Sequence, residues 1–246
     1  MNAAIVLSGG KGSRMHSDIP KQYMELCGRP LLMHSLNVFE KSPLIDSVIL
    51  VCAAGEQDFV REHIVEAGGY NKIAAVVAGG QERYDSVYCG LSELMHRFPS
   101  MLQTKENHSD FIWIHDGARP CVEESVLERC LDVVSECGAC VAAMPVKDTI
   151  KIVDEHHYAV STPNRKELWQ IQTPQVFAAS LIWQAYSKLY MDMNKTGITD
   201  DAMVVERYTN TKVKMAEGSY CNIKVTTRED LDIAEIFLKK ILTAPK

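Results

Sequence analysis

Apolar runs of strand length alternate along this chain with segments of helical periodicity. The apolar runs begin at residues 3, 47, 73 and 111, and none of them shows the polar alternation of a half-exposed strand. Uninterrupted apolar runs of this length are typical of parallel strands that are buried on both faces. Between them, residues 30–41 and 82–98 carry apolar side chains at helical spacing. The pattern predicts an α/β fold with a doubly wound, mostly parallel, Rossmann-like sheet.

Residues 147–172 interrupt this alternation. They contain two short β-prone stretches on either side of a polar DEHH connection, which predicts a β-hairpin arm that projects from a single domain spanning residues 1–246. The helical pattern then resumes over 178–192. A last strand is predicted near 212–225, followed by an amphipathic helix with Thr227 as its N-cap.

Composition indicates the cellular compartment of the protein and the class of its binding partners. The chain has 246 residues, of which 46% are hydrophobic and 24% charged, and its net charge of −6 argues against nucleic acid as a partner. No run approaches the roughly 20 apolar residues that cross a bilayer, so no membrane association is expected. The first residues lack the features of a signal peptide, and the eight cysteines are scattered through apolar segments like reduced thiols. We therefore expect a cytoplasmic protein.

The first strand ends in a glycine-rich loop, LSGGKGSRM. Gly9, Gly10 and Gly12 allow the backbone to turn sharply, so that successive N–H groups can cradle phosphates. The spacing matches neither a P-loop nor the dinucleotide-binding GxGxxG motif. Arg14 and Lys21 follow, and cations so placed neutralise the oxygens of a phosphoryl transition state. These residues predict a site for a nucleoside triphosphate, and the alternative is a plain glycine turn with surface cations.

Two further polar segments follow predicted strands. Ligands of such sheets bind beyond the carboxyl ends of the strands, which places residues 79–86 and 116–119 at the same mouth as the glycine-rich loop. There Asp116 can hold a hydroxyl group or hydrated Mg²⁺, and Arg119 can bind phosphate, although a surface salt bridge is the ordinary alternative. Lys224 lies in a predicted strand, where an inward-facing lysine needs an anion.

Motifs in a fixed order along essentially the whole chain show a resemblance to a known family. They are GGxGxRM with PKQ, GGxxRxxSV at 79–87, HDGARP at 115–120, PVKDTIK at 145–151, LWxxQTPQ at 168–175, TDD at 199–201 and NIKVT at 222–226. Together they resemble the 2-C-methyl-D-erythritol 4-phosphate cytidylyltransferase family of isoprenoid precursor synthesis. The resemblance implies a nucleotidyltransferase fold and transfer of CMP from CTP to a sugar-alcohol phosphate, with release of pyrophosphate. It also implies Mg²⁺ as cofactor and a homodimer.

The resemblance assigns roles to residues at matching positions. It implies that Arg14 and Lys21 are catalytic and stabilise the transition state. The residues implied to bind the nucleotide are Ser8, Gly9, Gly10, Gly12, Gly80, Gln81, Arg83 and Ser86. Those implied to position the acceptor are Asp116, Arg119, Thr199, Asp200 and Lys224, together with Thr149 and Arg165, which are expected to reach the site of a second subunit.

Some of these assignments have competing explanations. The alternative for Arg165 is a salt bridge at the base of the hairpin, which nothing local in the sequence excludes, and TDD also makes a good helix N-cap. Related nucleotidyltransferases often carry a second metal-binding aspartate just before NIK, where this chain has Tyr220 and Cys221. Magnesium is therefore expected to be held largely by the triphosphate, with Asp116 as the one protein ligand.

Two other functions compete with the predicted one. A ribitol 5-phosphate cytidylyltransferase would share the fold and the GGxGxRM, PKQ and QTPQ motifs, but LW before QTPQ and the stretch NRKEL favour methylerythritol phosphate. A non-catalytic nucleotide-binding protein is the alternative from another class. The intact pair of Arg14 and Lys21 argues against it.

Overall fold

A mostly parallel sheet of seven strands forms the centre of the structure, a computed structural model that describes residues 1–10, 19–102 and 110–243. The strands of the described chain are β1 Asn2–Leu7, β2 Glu25–Leu26, β3 Arg29–Pro30, β4 Ser47–Cys52, β5 Ile73–Ala78, β6 Phe111–Asp116, β7 Ala139–Pro145, β8 Ile152–Val153, β9 Ala159–Ser161, β10 Trp169–Ala178 and β11 Lys214–Glu217. The helices are α1 Leu31–Lys41, α2 Gln57–Val60, which continues as a π-helical turn Arg61–Glu66, α3 Arg83–Arg97, α4 Glu124–Cys137, α5 Ala179–Met191, α6 Asp201–Thr209 and α7 Arg228–Thr243.

The strand order of the central sheet is β11-β7-β10-β6-β1-β4-β5. β10 runs antiparallel to both of its neighbours, and every other adjacent pair is parallel. The predicted doubly wound, mostly parallel α/β fold is therefore confirmed. The predicted helices at 30–41, 82–98 and 178–192 correspond to α1, α3 and α5, each within one or two residues.

Helices cover both faces of the sheet, which explains the uninterrupted apolar strands. In β1, Ala4 and Val6 pack into the hydrophobic cluster that contains buried residues of α1 and α4. Ala3 and Ile5 point to the opposite face and join the cluster formed with α3, α5 and α6. Because successive side chains of a strand face opposite sides, both sets must be apolar. Within the described ranges, no helix combines the length and the apolar character needed to cross a bilayer.

The C-terminal helix docks beside the sheet through a third, smaller cluster. Its residues Ala234 and Leu238 pack with Leu26 and Val225. α7 begins immediately after Thr227, as predicted, and its Asp230 carboxylate accepts hydrogen bonds from the backbone N–H of Thr226 and Thr227. This docking holds the segment that carries Lys224 against the loops after β6.

The strand predicted over 212–225 is much shorter than expected. β11 ends at Glu217, and the chain then turns, with the Asn222 N–H bonded to the Ser219 carbonyl. The fully buried Asn222 side chain donates to the Thr173 carbonyl at 2.8 Å and so holds the segment beside β10 instead of in the sheet. The prediction that Lys224 lies in a strand is therefore wrong.

The predicted β-hairpin is present as a separate two-stranded sheet. β8 pairs antiparallel with β9, and every residue from 147 to 162 is exposed. Residues 169–172 of the predicted arm belong instead to β10, which pairs with β7 in the central sheet. The arm therefore comprises residues 147–168.

The cysteines do not form a metal site among the described residues. All eight are free thiols, and no group of three or more His, Cys, Asp or Glu residues in the described ranges is placed to hold a metal ion. Cys137 ends α4, and the buried Cys140 donates to the Cys130 carbonyl. The CxxC sequence is therefore part of a helix-to-strand turn.

The close approach of α3 to the sheet depends on Gly90. A Cβ added at Gly90 would lie 2.7 Å from the Ile5 Cγ2 atom and 3.2 Å from the Val51 Cγ2 atom. Alanine normally stabilises a helix by about 1 kcal/mol over glycine, whereas overpacking a core costs about 1–3 kcal/mol. We expect Gly90→Ala to lower the free energy of unfolding in urea, while His96→Ala on the exposed side of α3 changes it little. An increase in stability for Gly90→Ala would contradict this packing.

Candidate active site

The loop after β1 and the loop after β5 meet at the carboxyl ends of the parallel strands. Ser8 donates both its N–H and its hydroxyl group to the Val51 carbonyl of β4, at 2.7 and 3.0 Å. Gly79 donates its N–H to the Cys52 carbonyl at the end of the same strand. These bonds hold the predicted nucleotide-binding residues Ser8–Gly10 beside residues 79–86, here called the nucleotide loop. Gly10 is exposed at this mouth, and a Cβ there would meet nothing within 4 Å.

Gly79 and Gly80 of the nucleotide loop pack so tightly against the first turn of α3 that both glycines are required. An added Cβ would lie 2.6 Å from the Ser86 Oγ atom at Gly79, and Asp85 would obstruct a Cβ at Gly80 even more closely. The Ser86 hydroxyl accepts from the Gly80 N–H at 3.2 Å and donates to the Glu82 carbonyl. Ser86 therefore supports the loop, whereas Gly80, Gln81 and Glu82 are its exposed residues.

Three of the predicted site cations surround one carboxylate at the end of β6. The Asp116 Oδ1 atom lies 3.3 Å from Arg83 Nε, and its Oδ2 atom lies 2.8 Å from Lys224 Nζ and 3.9 Å from Arg119 Nε. These four residues, here called the Asp116 cluster, come from α3, from the end of β6 and the loop after it, and from the segment before α7. The structure thus brings together residues that are up to 141 positions apart in the chain, between Arg83 and Lys224.

The Asp116 cluster carries more positive than negative charge. Burial by itself would raise the pKa of Asp116, but Arg83, Lys224 and Arg119 together hold it well below its usual range. Asp116 is therefore ionised throughout the neutral pH range. One carboxylate faces three cations, so the cluster retains a positive charge that suits an anionic ligand.

Arg119 has unused hydrogen-bonding capacity in this cluster. Its Nη1 atom donates to the Asn222 carbonyl at 2.8 Å, which ties it to the segment that carries Lys224. Its Nε atom is buried and has no hydrogen-bond partner. A buried donor left unpaired is unfavourable, and an incoming phosphate oxygen would satisfy it.

A second carboxylate, Asp201, extends the cluster; it is the last residue of the TDD motif, but no role was predicted for it. The Arg83 Nη2 atom lies 2.7 Å from the Asp201 Oδ2 atom, and Tyr186 donates its hydroxyl group to Oδ1 at 2.6 Å. Within the TDD motif, Thr199 and Asp200 were the predicted site residues. Asp200 is the N-cap of α6 and accepts the Met203 N–H, while Thr199 is an exposed residue just before it.

His115 and Thr173 organise the turn that bears Asp116 and Arg119. Thr173 Oγ1 accepts the Asp116 N–H at 3.0 Å and lies 3.0 Å from His115 Nδ1, while Nε2 lies 3.3 Å from the Arg119 carbonyl. Since a carbonyl only accepts, Nε2 carries the proton and Nδ1 accepts from Thr173. Burial lowers the pKa of His115 to about 4, so the ring is neutral at pH 7. Both residues lie in the HDGARP and QTPQ motifs, but neither was predicted to have a role.

The remaining predicted residues fall into three groups. Lys21 donates from Nζ to the Val225 carbonyl at 2.9 Å, beside Lys224. Thr149 and Arg165 are exposed in the arm, where Arg165 donates to the Lys147 carbonyl, and within the described chain no hydrogen bond joins them to the Asp116 cluster. The predicted residues Gly12 and Arg14 lie outside the described residues.

The described protein groups alone do not fit a magnesium site. Mg²⁺ prefers several oxygen ligands and is usually bound through carboxylates together with substrate phosphates. Here both oxygens of Asp116 face cations, and Tyr220, just before NIK, donates to the Pro145 carbonyl while its ring lies 3.3 Å from Lys147 Nζ. The donor set by itself favours an anion over a metal ion.

Comparison with known proteins gives the same family for nearly the whole chain. The model of the family described as 2-C-methyl-D-erythritol 4-phosphate cytidylyltransferase matches residues 2–240. The protein of that name from Lachnospira eligens is 50% identical to this chain, over 97% of this chain and 100% of the relative. Its namesake from Alkaliphilus oremlandii is 43% identical, over 96% of this chain and 94% of the relative.

Solved structures agree with the sequence comparisons. The crystal structure of 4-diphosphocytidyl-2C-methyl-D-erythritol synthase from Anaerococcus prevotii aligns with a TM-score of 0.77 at 30% identity, covering 97% of this chain and 96% of that one. The 2-C-methyl-D-erythritol 4-phosphate cytidylyltransferase from Francisella tularensis aligns with a TM-score of 0.76 at 28% identity, covering 96% and 99%. The chain belongs to the 2-C-methyl-D-erythritol 4-phosphate cytidylyltransferase family and is therefore a nucleotidyltransferase.

Proposed function

We propose that this chain transfers CMP from CTP to 2-C-methyl-D-erythritol 4-phosphate and releases pyrophosphate. The single observation that carries the proposal is the convergence of three cations on the buried Asp116 at the mouth of the sheet. That mouth is where α/β sheets bind their ligands. Two of the cations come from segments that the family resemblance assigns to the acceptor, and Arg83 comes from the nucleotide loop.

The acceptor phosphate fits beside Arg119 and Lys224. Lys224 is partly exposed, and the Nε atom of Arg119 is a buried donor without a hydrogen-bond partner. A phosphate placed there would pair with both cations, and Asp116 would remain as their counter-ion. In this arrangement Asp116 holds the acceptor's cations in position, and a hydroxyl group of the acceptor can donate to it.

The reaction needs positioning and charge neutralisation more than acid–base catalysis. An oxygen of the acceptor phosphate forms a bond to the α-phosphorus of CTP, and the bond from that phosphorus to the pyrophosphate oxygen breaks. The attacking phosphate is already largely ionised at neutral pH, so no strong base is required. In our proposal Lys21 and Arg14 stabilise the charge that develops on the transferring phosphoryl group.

The nucleotide binds across the two glycine-containing loops in this proposal. Gly10, Gly80 and Gln81 are exposed there and present backbone groups to the mouth. Such groups can contact phosphate oxygens or the edge of a pyrimidine at close range. Ser8 and Ser86 keep these loops in shape through their hydrogen bonds to Val51 and Gly80.

The triphosphate is the main ligand of the divalent cation in this proposal. The carboxylates of Asp116 and Asp201 are engaged with cations, whereas a nucleoside triphosphate brings several oxygen ligands of its own. When bound, Mg²⁺ supplies charge neutralisation of the triphosphate.

The arm mediates a homodimer in this proposal. Its two short strands expose Ile152, Val153, Tyr158 and Val160, whose exposed fractions range from 48% to 73%. An isolated hairpin of this size is marginal in water, and exposed apolar surface of this kind is usual at protein–protein contacts. A partner subunit that covers the arm would also bring Thr149 and Arg165 to its own active site.

A reducing compartment suits the thiols of this chain. Its eight cysteines are all free, including several that are half-buried and close to the surface. Free thiols persist in the cytosol, so we place the protein there.

The function is tested by pyrophosphate release from purified protein with CTP and Mg²⁺. We expect rapid release with 2-C-methyl-D-erythritol 4-phosphate, little with ribitol 5-phosphate, and loss of turnover when EDTA removes the cation. Preference for ribitol 5-phosphate would replace the proposed acceptor. CTP binding without release on either acceptor would instead indicate a non-catalytic nucleotide-binding protein.

Lys21→Ala tests the proposed catalytic charge. We expect kcat to fall by about a hundredfold or more, because a preorganised cation at the transferring group is lost. Steady-state kinetics with both substrates and circular dichroism check the effect and the fold. Lys188→Ala is the matched control, since Lys188 also donates to a backbone carbonyl, that of Tyr208, but on the exposed side of α5. Wild-type turnover by folded Lys21→Ala protein would refute the assignment.

Val160→Asp tests the proposed dimer. A charge in the apolar surface of the arm should convert the dimer to monomer and abolish most activity, as measured by light scattering and pyrophosphate release. Ile236→Asp is the control, because Ile236 is 55% exposed on α7 and Val160 is 66% exposed.

Mixing inactive Lys21→Ala with inactive Arg165→Ala should restore partial activity if the two residues serve one site from different subunits. A wild-type monomer with full activity would exclude the proposal.

A further inference from the structure

One ion pair fastens the first turn of α3 to the first turn of α6. Arg83 is the first residue of α3 and directly follows the exposed part of the nucleotide loop, and Asp201 is the first residue of α6. Their side chains meet at 2.7 Å, although they are 118 residues apart in the chain. Both helices also contribute apolar side chains to the hydrophobic cluster on the same face of the sheet.

Asp201 is held in place from several directions. It is fully buried, and the Tyr186 hydroxyl group donates to its Oδ1 atom while Arg83 takes Oδ2. The Gln175 side chain accepts the backbone N–H groups of Asp201 and Ala202 at 3.0 and 2.9 Å. A carboxylate at the start of a helix is also stabilised by the helix dipole. Its position is therefore determined independently of any ligand.

Arg83, in contrast, is shared between two carboxylates. Its Nη2 atom makes the shorter contact, to Asp201, and its Nε atom lies 3.3 Å from the Asp116 Oδ1 atom. Asp201 therefore sets where the guanidinium lies, and the guanidinium in turn neutralises part of the charge of Asp116. Without the Asp201 charge, Asp116 would be left as the neighbouring counter-ion of Arg83, and the guanidinium would move toward it.

We propose that Asp201 is a positioning residue for the transfer reaction. It holds Arg83 of the nucleotide loop against Asp116, so that CTP binding and acceptor binding depend on one ion pair. This inference rests on the proposed function, which assigns the nucleotide loop to CTP and Asp116 to the acceptor. Tyr186 supports the same role through its bond to Asp201.

The test is a double-mutant cycle with Asp201→Asn and Arg83→Gln, read out as the equilibrium Kd for CTP and the KM for the acceptor. Asparagine has the shape of aspartate and can still accept from Tyr186, but it lacks the charge. We expect Asp201→Asn to raise both constants by about tenfold or more, because one partner of a buried charge pair is lost. In the Arg83→Gln background, Asp201→Asn should raise either constant by less than about twofold, since the guanidinium that Asp201 positions is absent.

Asp192→Asn is the matched control. Asp192 also accepts a tyrosine hydroxyl group, from Tyr208 at 2.6 Å, and pairs with an arginine, Arg207, at 3.6 Å. It lies at the end of α5 and has no assigned part in the site, so both constants should stay within about twofold of wild type.

A second variant covers the case in which Asp201→Asn does not fold. Tyr186→Phe removes one hydrogen bond and keeps the Asp201 charge, so it should raise both constants by a few fold, again only when Arg83 is present. Additive effects in the cycle, or unchanged constants in folded Asp201→Asn protein, would overturn the inference. Failure of the wild-type protein to release pyrophosphate would instead refute the proposed function, while the CTP cycle would still report on Arg83.

Discussion

The site depends on a buried carboxylate that faces more cations than it can neutralise. Asp116 ends a fully buried strand, and burial of an isolated carboxylate would be prohibitive. Arg83, Arg119 and Lys224 make it possible, and each of them is in turn partly buried with Asp116 as a counter-ion. The positive charge left over suits a phosphorylated substrate. An anion-binding site therefore follows from the same contacts that allow Asp116 to be buried.

The loops around Asp116 are held by hydrogen bonds that leave little freedom. Neutral His115 and Thr173 fix the turn from Asp116 to Arg119, and Asn222 ties the segment of Lys224 to the carbonyl of Thr173. α7 packs over the same segment through Val225. A site whose cations lay on flexible loops would bind its ligand more weakly, because ordering the loops costs entropy. These side chains are instead largely preorganised. The arm is the exception, because its apolar side chains are exposed until a partner covers them.

Local patterns predicted the elements that a sheet buried on both faces requires. The apolar runs of β1, β4 and β6 and the periodicity of α1 and α3 were sufficient, since burial on two faces leaves little choice of side chain. The pattern failed after β11, where the direction of the chain is set by the Asn222 side chain, a tertiary contact that β-propensity does not encode. The arm was predicted because its sequence interrupts the alternation of strands and helices. Its boundary with β10, however, depends on strand pairing.

The sequence by itself determined the class of fold, the mouth at which ligands bind and, through its motifs, which residues to look for. Position after a strand was enough to select Asp116, Arg119 and the nucleotide loop, because parallel strands end at one edge of a sheet. Only the tertiary structure decided how these residues pair. Arg83 was assigned to the nucleotide, yet it bridges Asp116 and Asp201, and Asp201 was passed over for its neighbour Asp200. Pairings between residues more than a hundred positions apart are set by how α3, β6 and α6 pack, and no local pattern records that packing.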